Sequence, residues 1–162
     1  MATVLESVAE LKAGLVPGSR LLGLDVGAKT IGLALSDDGL LIASPLETIR
    51  RTRFAKDLAA LGAIVAEHGV GGLVIGLPVQ MDGSEGRRCQ SVRQFAANVV
   101  EALGIDAAFW DERLSTAAVE RVLVKEADLS RRRRAELVDK AAAAYIMQGA
   151  LDSLGSYRLG SK

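Results

Sequence analysis

The stretch LLGLDVGAKTIGLALSDDG, residues 21–39, places one aspartate, Asp25, near the end of an apolar run and follows it with glycine and a second apolar run. A carboxylate removed from water is unfavourable unless a cation or hydrogen-bond donors replace the solvent. The apolar runs at 20–26 and 30–36 are short and bounded by turn residues, which is typical of buried strands. The stretch therefore predicts two adjacent strands, with a carboxylate that binds something at the end of the first.

The segments after this stretch alternate between strand and helix patterns. The turn DDG and the run LLIASPLETI predict a hairpin and a third antiparallel strand, with Pro45 on a sheet edge. Helical spacing of apolar residues begins after Arg53 and ends at HGVGG, and LVIGLP is a buried strand. A glycine-rich loop, VQMDGSEG, precedes a second long helix, and its glycines permit mobility. DAAFWDE is the fifth strand.

Two further helices are predicted in the last third of the chain. STAAVERVLVKEA is one, with Ser115 as its N-cap, and residues 134–154 form a strongly apolar last one. The element order predicts an α/β protein with a mixed five-stranded sheet, whose first three strands are antiparallel, and helices on both faces. We expect one domain over residues 1–162, with a helical extension at 1–15 and a loose tail at 155–162.

Composition excludes several classes of protein. The 20 basic and 20 acidic residues balance, so any nucleic-acid partner must be bound by local clusters. Cys89 is the only cysteine, which excludes an internal disulfide and a multi-cysteine metal site. The N-terminus lacks a signal-peptide core, and no apolar run reaches membrane-spanning length. We expect a cytoplasmic protein without a membrane partner; the sequence leaves a homodimer open.

Four carboxylates are candidate site residues: Asp25, Asp111, Glu112 and Asp139. Asp139 shares a helix face with Ala142, Ala143 and Ile146, so its side chain is expected to point toward the sheet. Taken singly, each has an ordinary interpretation: a turn cap, solvent exposure, or an ion pair with a basic neighbour. Converging carboxylates would repel one another unless a divalent cation held them, and an all-oxygen set selects Mg²⁺ or Mn²⁺.

Four segments carry a family resemblance: GLDVGAKTIGLALSD, VIGLPVQMDGSEG, DERLSTAAVERVL and VDKAAAAYIMQGAL. In order and spacing they resemble the signatures of the YqgF family, also called RuvX. The resemblance covers roughly residues 20–151 and implies an RNase H-like fold related to RuvC-type resolvases. It also implies catalytic roles for Asp25, Glu112 and Asp139. Adjacent strand residues point to opposite faces, so only one of Asp111 and Glu112 is expected to reach a metal, and Glu112 is favoured.

The resemblance implies a hydrolytic nuclease in which carboxylates hold two metal ions. Its substrate would be precursor 16S rRNA, processed at the 5′ end, or alternatively branched DNA such as a Holliday junction. A catalytically weak RNA-binding assembly factor is a further alternative. LDVGAKTIGLALSD also resembles the first phosphate loop of the actin, sugar-kinase and Hsp70 group, but that architecture requires two lobes and a second phosphate loop.

Local basic residues are the expected contacts to nucleic acid. Lys29 follows the turn after Asp25, and Arg113 adjoins Glu112. A pair follows the glycine-rich loop, Arg87 and Arg88, and a run of four lies further along the chain, Arg131, Arg132, Arg133 and Arg134. The last run is expected just before the helix of Asp139, where it would bring positive charge to the site. Runs of this kind are more often solvated surface. Aromatic residues are few, so stacking on bases is not expected.

Overall fold

The structure, a computed structural model, describes residues 1–114 and 131–160, with the backbone alone at 131–138 and 156–160. Within these ranges the elements are β1 Val4–Leu5, α1 Val8–Ala13, β2 Arg20–Val26, β3 Thr30–Ser36, β4 Ala43–Arg50, α2 Phe54–His68, β5 Val70–Leu77, α3 Arg87–Leu103, β6 Asp106–Asp111 and α4 Arg131–Gly160. One turn of 3-10 helix, Glu112–Leu114, follows β6.

The strands form one mixed sheet in the order β1-β6-β5-β2-β3-β4. Strands β2, β3 and β4 are antiparallel neighbours, while β5 pairs parallel with β2 and with β6. The α/β class and the antiparallel start are confirmed. The sheet has six strands where five were expected, because β1 adds two residues parallel to β6. A two-residue strand is too short to give a periodic signal.

Both ends of the chain differ from expectation. At the N-terminus, β1 precedes a helix that is confined to Val8–Ala13. Helix α4 is described over Arg131–Gly160, so the arginine run is itself helical rather than preceding the helix, and the helix continues past Leu154. Residues 155–160, expected as a loose tail, are helical. The helix predicted after Ser115 lies outside the described residues.

One face of the sheet carries the larger part of the core. Helices α2 and α3 pack there against bulky strand residues with no solvent exposure: Leu22, Leu24, Ile31, Leu33, Leu73 and Ile75. Each helix ends at a glycine of positive φ, Gly69 at 64° and Gly104 at 70°, where a side chain would be strained. None of the helices in the described ranges is long and apolar enough to cross a bilayer.

The opposite face is covered by α1 and α4, and α4 lies unusually close to the strands. A Cβ added at Gly23 would lie 3.0 Å from Met147 Cβ, and one added at Gly32 would overlap the backbone carbonyl of Asp139. At Gly149 of α4 an added Cβ would lie 3.0 Å from Trp110 Nε1. Glycine on both partners therefore allows the helix to rest on the sheet.

Candidate active site

Asp25 lies near the carboxyl end of β2, where the sheet changes direction. Its strand has the parallel neighbour β5 on one side and the antiparallel neighbour β3 on the other. Ligand sites in open α/β sheets gather at such switch points. Asp25 is only 4% exposed, so its carboxylate is among the few polar groups buried in the described part of the chain.

Strand alternation assigns Asp25 to the α4 face. Leu21, at the start of the same alternating set, packs with α4 residues, whereas Leu22 and Leu24 pack on the α2 and α3 side. Successive side chains of a strand point to opposite faces. The carboxylate of Asp25 therefore points toward the face that α4 covers.

Asp139 reaches this face from α4. Its backbone carbonyl lies against Gly32, the residue paired with Asp25 across β2 and β3, and only glycine leaves room for it. Asp139 Oδ2 accepts a hydrogen bond from Thr30 Oγ1 at the start of β3. The inward direction expected from helical spacing agrees with this placement.

Glu112 approaches from the other side. A Cβ added at Gly76 of β5 would lie 3.2 Å from Glu112 Cγ and would also contact Ile146 of α4. Gly76 follows Ile75, which pairs with Leu24, the residue before Asp25. Asp25 is thus flanked by a glycine on each neighbouring strand. Asp139 packs over Gly32 of β3, and Glu112 packs over Gly76 of β5.

Asp111 does not join this group. By alternation it lies on the face of Phe109, which packs with the α2 and α3 core. Its carboxylate accepts hydrogen bonds from Nη2 of Arg113 at 2.7 Å, from Nε at 3.0 Å and from the Arg113 backbone N–H. These bonds hold the pKa of Asp111 below its usual range.

The donor set has the chemistry of a hard-cation site. Asp25, Glu112 and Asp139 share one face at one end of the sheet and offer only oxygen atoms, which Mg²⁺ and Mn²⁺ prefer. Among the described residues, no three acidic, histidine or cysteine side chains are grouped closely enough to hold a metal ion as they stand. The three carboxylates come from three different elements: Asp25 from β2, Glu112 from the 3-10 turn after β6, and Asp139 from α4.

Lys29 lies in the tight turn between β2 and β3. Gly27 N donates to Thr30 O at 2.8 Å, and Arg51 N donates to Lys29 O at 2.8 Å. The Arg51 guanidinium donates to Gly27 O and lies 5.2 Å from the centroid of the Phe95 ring. The turn that carries Lys29 is therefore held by Arg51, the residue that follows β4, which in turn packs on Phe95 of α3.

Sequence reasoning missed Thr30 as a site residue, and it noted Arg51 only as part of the basic cluster at 50–53, one of the local clusters that could bind substrate. Thr30 contacts a residue 109 positions away, which no local pattern reveals. Alternation could have placed Thr30 on the face of Gly32. Arg51 belongs to a visible basic cluster, yet its use as a brace depends on Phe95 in a distant helix.

The remaining basic candidates lie on three different elements. Arg87 and Arg88 are exposed in the first turn of α3. The Arg113 guanidinium donates a hydrogen bond to the Asp111 carboxylate, and its Nη1 lies 3.4 Å from Met81 O. Residues 131–134 form the first turn of α4, about two turns before Asp139.

Comparison with known proteins decides the family. The model of the RuvX family, described as Holliday junction resolvase, matches residues 19–153. The chain belongs to the RuvX family. A relative from Paramagnetospirillum magneticum, named "Putative pre-16S rRNA nuclease", is 62% identical over 149 residues, covering 92% of this chain and 96% of the relative. A relative of the same name from Roseobacter denitrificans is 56% identical over 153 residues, with 93% of each chain covered.

Solved structures related to the RuvX family by fold include the resolvase RuvC. A structure titled as T. thermophilus RuvC in complex with Holliday junction substrate aligns with a TM-score of 0.51 and 14% identity, over 88% of this chain and 96% of that one. At this identity the likeness concerns the fold alone. The expected family and the RNase H-like fold class are both confirmed.

Proposed function

We propose that the protein is a divalent-metal-dependent nuclease that hydrolyses phosphodiester bonds, with precursor 16S rRNA as its substrate. The carrying observation is the placement of Asp25 between Gly32 and Gly76, which bring Asp139 and Glu112 to the same face. The names of the relatives support the RNA substrate. The family description supports a second candidate, a four-way DNA junction.

Asp25, Glu112 and Asp139 would hold Mg²⁺ or Mn²⁺, as two ions. Bound there, the metal would supply an activated water and stabilise the leaving oxygen of a phosphodiester. Thr30 orients the carboxylate of Asp139, and the braced turn presents Lys29 to a substrate phosphate. Burial raises the pKa of the Cys89 thiol, which argues against a nucleophilic cysteine. A reduced, buried cysteine agrees with action in the cytoplasm.

A substrate panel tests the proposal. Labelled precursor 16S rRNA, single-stranded RNA, single-stranded DNA and a four-way junction are each incubated with the protein in Mg²⁺, Mn²⁺ or EDTA. We expect metal-dependent cleavage of the precursor RNA near its mature 5′ end. Cleavage of the junction alone would favour the second candidate, and tight RNA binding without any cleavage would favour an assembly factor.

Asp25→Asn should abolish cleavage and weaken Mn²⁺ binding, because it removes the central charge and keeps the shape. Mn²⁺ affinity is measured by calorimetry, and the fold is checked by circular dichroism. Asp38→Asn, an exposed change in the β3–β4 hairpin, is the matched control and should leave both properties unchanged. Full activity of Asp25→Asn would end the metal-nuclease proposal.

The arginine run at the start of α4 should contribute through charge. Changing Arg131, Arg132, Arg133 and Arg134 to serine should flatten the plot of log affinity against log salt by roughly two units, because each phosphate contact adds about 0.7 to 0.9 and two or three contacts are expected from the four arginines. Base preference should hardly change, since phosphates carry no sequence information. Binding is titrated with salt in Ca²⁺ to suppress cleavage. Coincident slopes would shift attention to Arg87 and Arg88.

A further inference from the structure

The loop between β5 and α3, residues 78–86, has a defined internal conformation. Gln80 N donates to Ser84 O at 2.9 Å, and Gly83 N donates to Gln80 O at 2.8 Å. The loop leaves β5 just after Gly76, which lies beneath Glu112, and it leads into the exposed arginines of α3. Its position therefore determines which groups flank the proposed site.

An arginine contacts the end of this loop nearest α3. Arg93 Nε and Nη2 donate to the two carboxylate oxygens of Glu85 at 2.6 and 2.7 Å, and these bonds hold the pKa of Glu85 below its usual range. The same guanidinium lies 4.9 Å from the centroid of the Phe109 ring in β6. The loop is thus tied through Arg93 to β6.

A second arginine contacts the middle of the loop. Arg113 forms a two-pronged pair with Asp111 at the end of β6, and its Nη1 lies 3.4 Å from Met81 O. Phe109 and Asp111 are two residues apart, so they lie on the same face of β6. Arg93 and Arg113 thus both contact the same face of β6, and both also contact the loop, Arg93 at Glu85 and Arg113 at Met81.

We infer that these contacts form a double clamp, Arg93 with Glu85 and Arg113 with Asp111 and Met81, which holds the loop in place before substrate binds. Arg113 and Asp111 are then positioning residues rather than a phosphate contact and a metal ligand. An ordered loop binds more tightly because less conformational freedom is lost on binding. The consequence for nucleic acid rests on the proposed function; the order of the loop does not.

The alternative role for Arg113 predicts effects of opposite sign. If Arg113 bound a phosphate, Asp111→Asn would release its guanidinium and remove a negative charge, so nucleic acid would bind more tightly and with a steeper salt dependence. If Arg113 is a clamp, the same change loosens the loop. Binding then weakens, and the salt slope stays as in the unmodified protein.

The test combines amide hydrogen exchange with binding. Exchange at Gln80 and Gly83 is measured without nucleic acid for the unmodified protein, Asp111→Asn, Arg113→Lys and the double variant. Asp38→Asn is the control of equal charge change. We expect exchange to accelerate roughly fivefold in both single variants, the scale of a lost exposed pair, and no further in the double variant.

Binding is measured in Ca²⁺ with labelled precursor 16S rRNA and with a four-way junction. We expect weaker binding by both single variants and an unchanged salt slope. Unchanged exchange, or tighter binding by Asp111→Asn, would overturn the clamp. If the unmodified protein binds neither probe, the proposed function fails, while the exchange measurement still decides the clamp.

Discussion

The two faces of the sheet are built in opposite ways. The face toward α2 and α3 is filled by large aliphatic side chains that interlock with those of the helices. On the face toward α4, three strand positions, Gly23, Gly32 and Gly76, have no side chain. A buried carboxylate, Asp25, lies among them. The first face stabilises the fold, and the second brings a helix main chain close enough to set Asp139 beside Asp25.

The largest expected effect comes from adding one methyl group to the α4 face. Gly32→Ala should lower the free energy of unfolding by roughly 3 kcal/mol and abolish cleavage, because the new Cβ overlaps the carbonyl of Asp139 and pushes α4 away. Chemical denaturation and the cleavage assay measure the two effects.

Gly62→Ala in α2 is the matched control on the other face. Its Cβ would meet only Leu103 Cδ2, at 3.4 Å, and alanine favours helix, so stability should rise by about 0.5 to 1 kcal/mol. Equal effects of the two changes would contradict the proposed difference between the faces.

A smaller effect is expected from removing one methyl group from the α2 and α3 face. Ile75→Val should reduce the free energy of unfolding by about 1 kcal/mol, because it leaves a small gap in a fully buried position. Cleavage by the folded protein should be unchanged. A loss of activity below the unfolding transition would show that this face also controls the site.

The smallest effect is expected from removing charge on the α4 face. Asp139→Asn should raise the free energy of unfolding in EDTA by about 1 kcal/mol or less, since it relieves repulsion with Asp25. Cleavage should be lost at the same time. A lower stability in EDTA would indicate that the Asp139 carboxylate is stabilised by its hydrogen bond with Thr30 more than it is repelled.

Buried strands were the most predictable part of the fold. The bounds of β2 and β3 follow directly from two apolar runs and the turn between them. Strand β4 begins later than its apolar run suggested, because Asp37 Oδ1 accepts the N–H groups of Leu41 and Ile42 and extends the turn. Strand β1 exists only through pairing with β6, which no local pattern encodes.

The candidate site was predictable in its residue types and less so in its contacts. Alternation indicated that Asp111 and Glu112 diverge, and the structure places them on different faces. The pairing of Asp111 with Arg113 depends on side-chain geometry at the end of β6, beyond the reach of a periodic pattern. The approach of α4 to Gly32 joins residues more than 100 positions apart.

Trp110, the single tryptophan of the chain, has a further use. Its ring lies against Gly149 of α4, and its buried Nε1 has no hydrogen-bond partner in the described part of the molecule. Indole fluorescence responds to the polarity around the ring, so emission should shift to longer wavelength whenever α4 lifts from the sheet. The fluorescence of Trp110 therefore reports whether α4 is packed on the sheet, and it can be followed in real time as metal or nucleic acid is added.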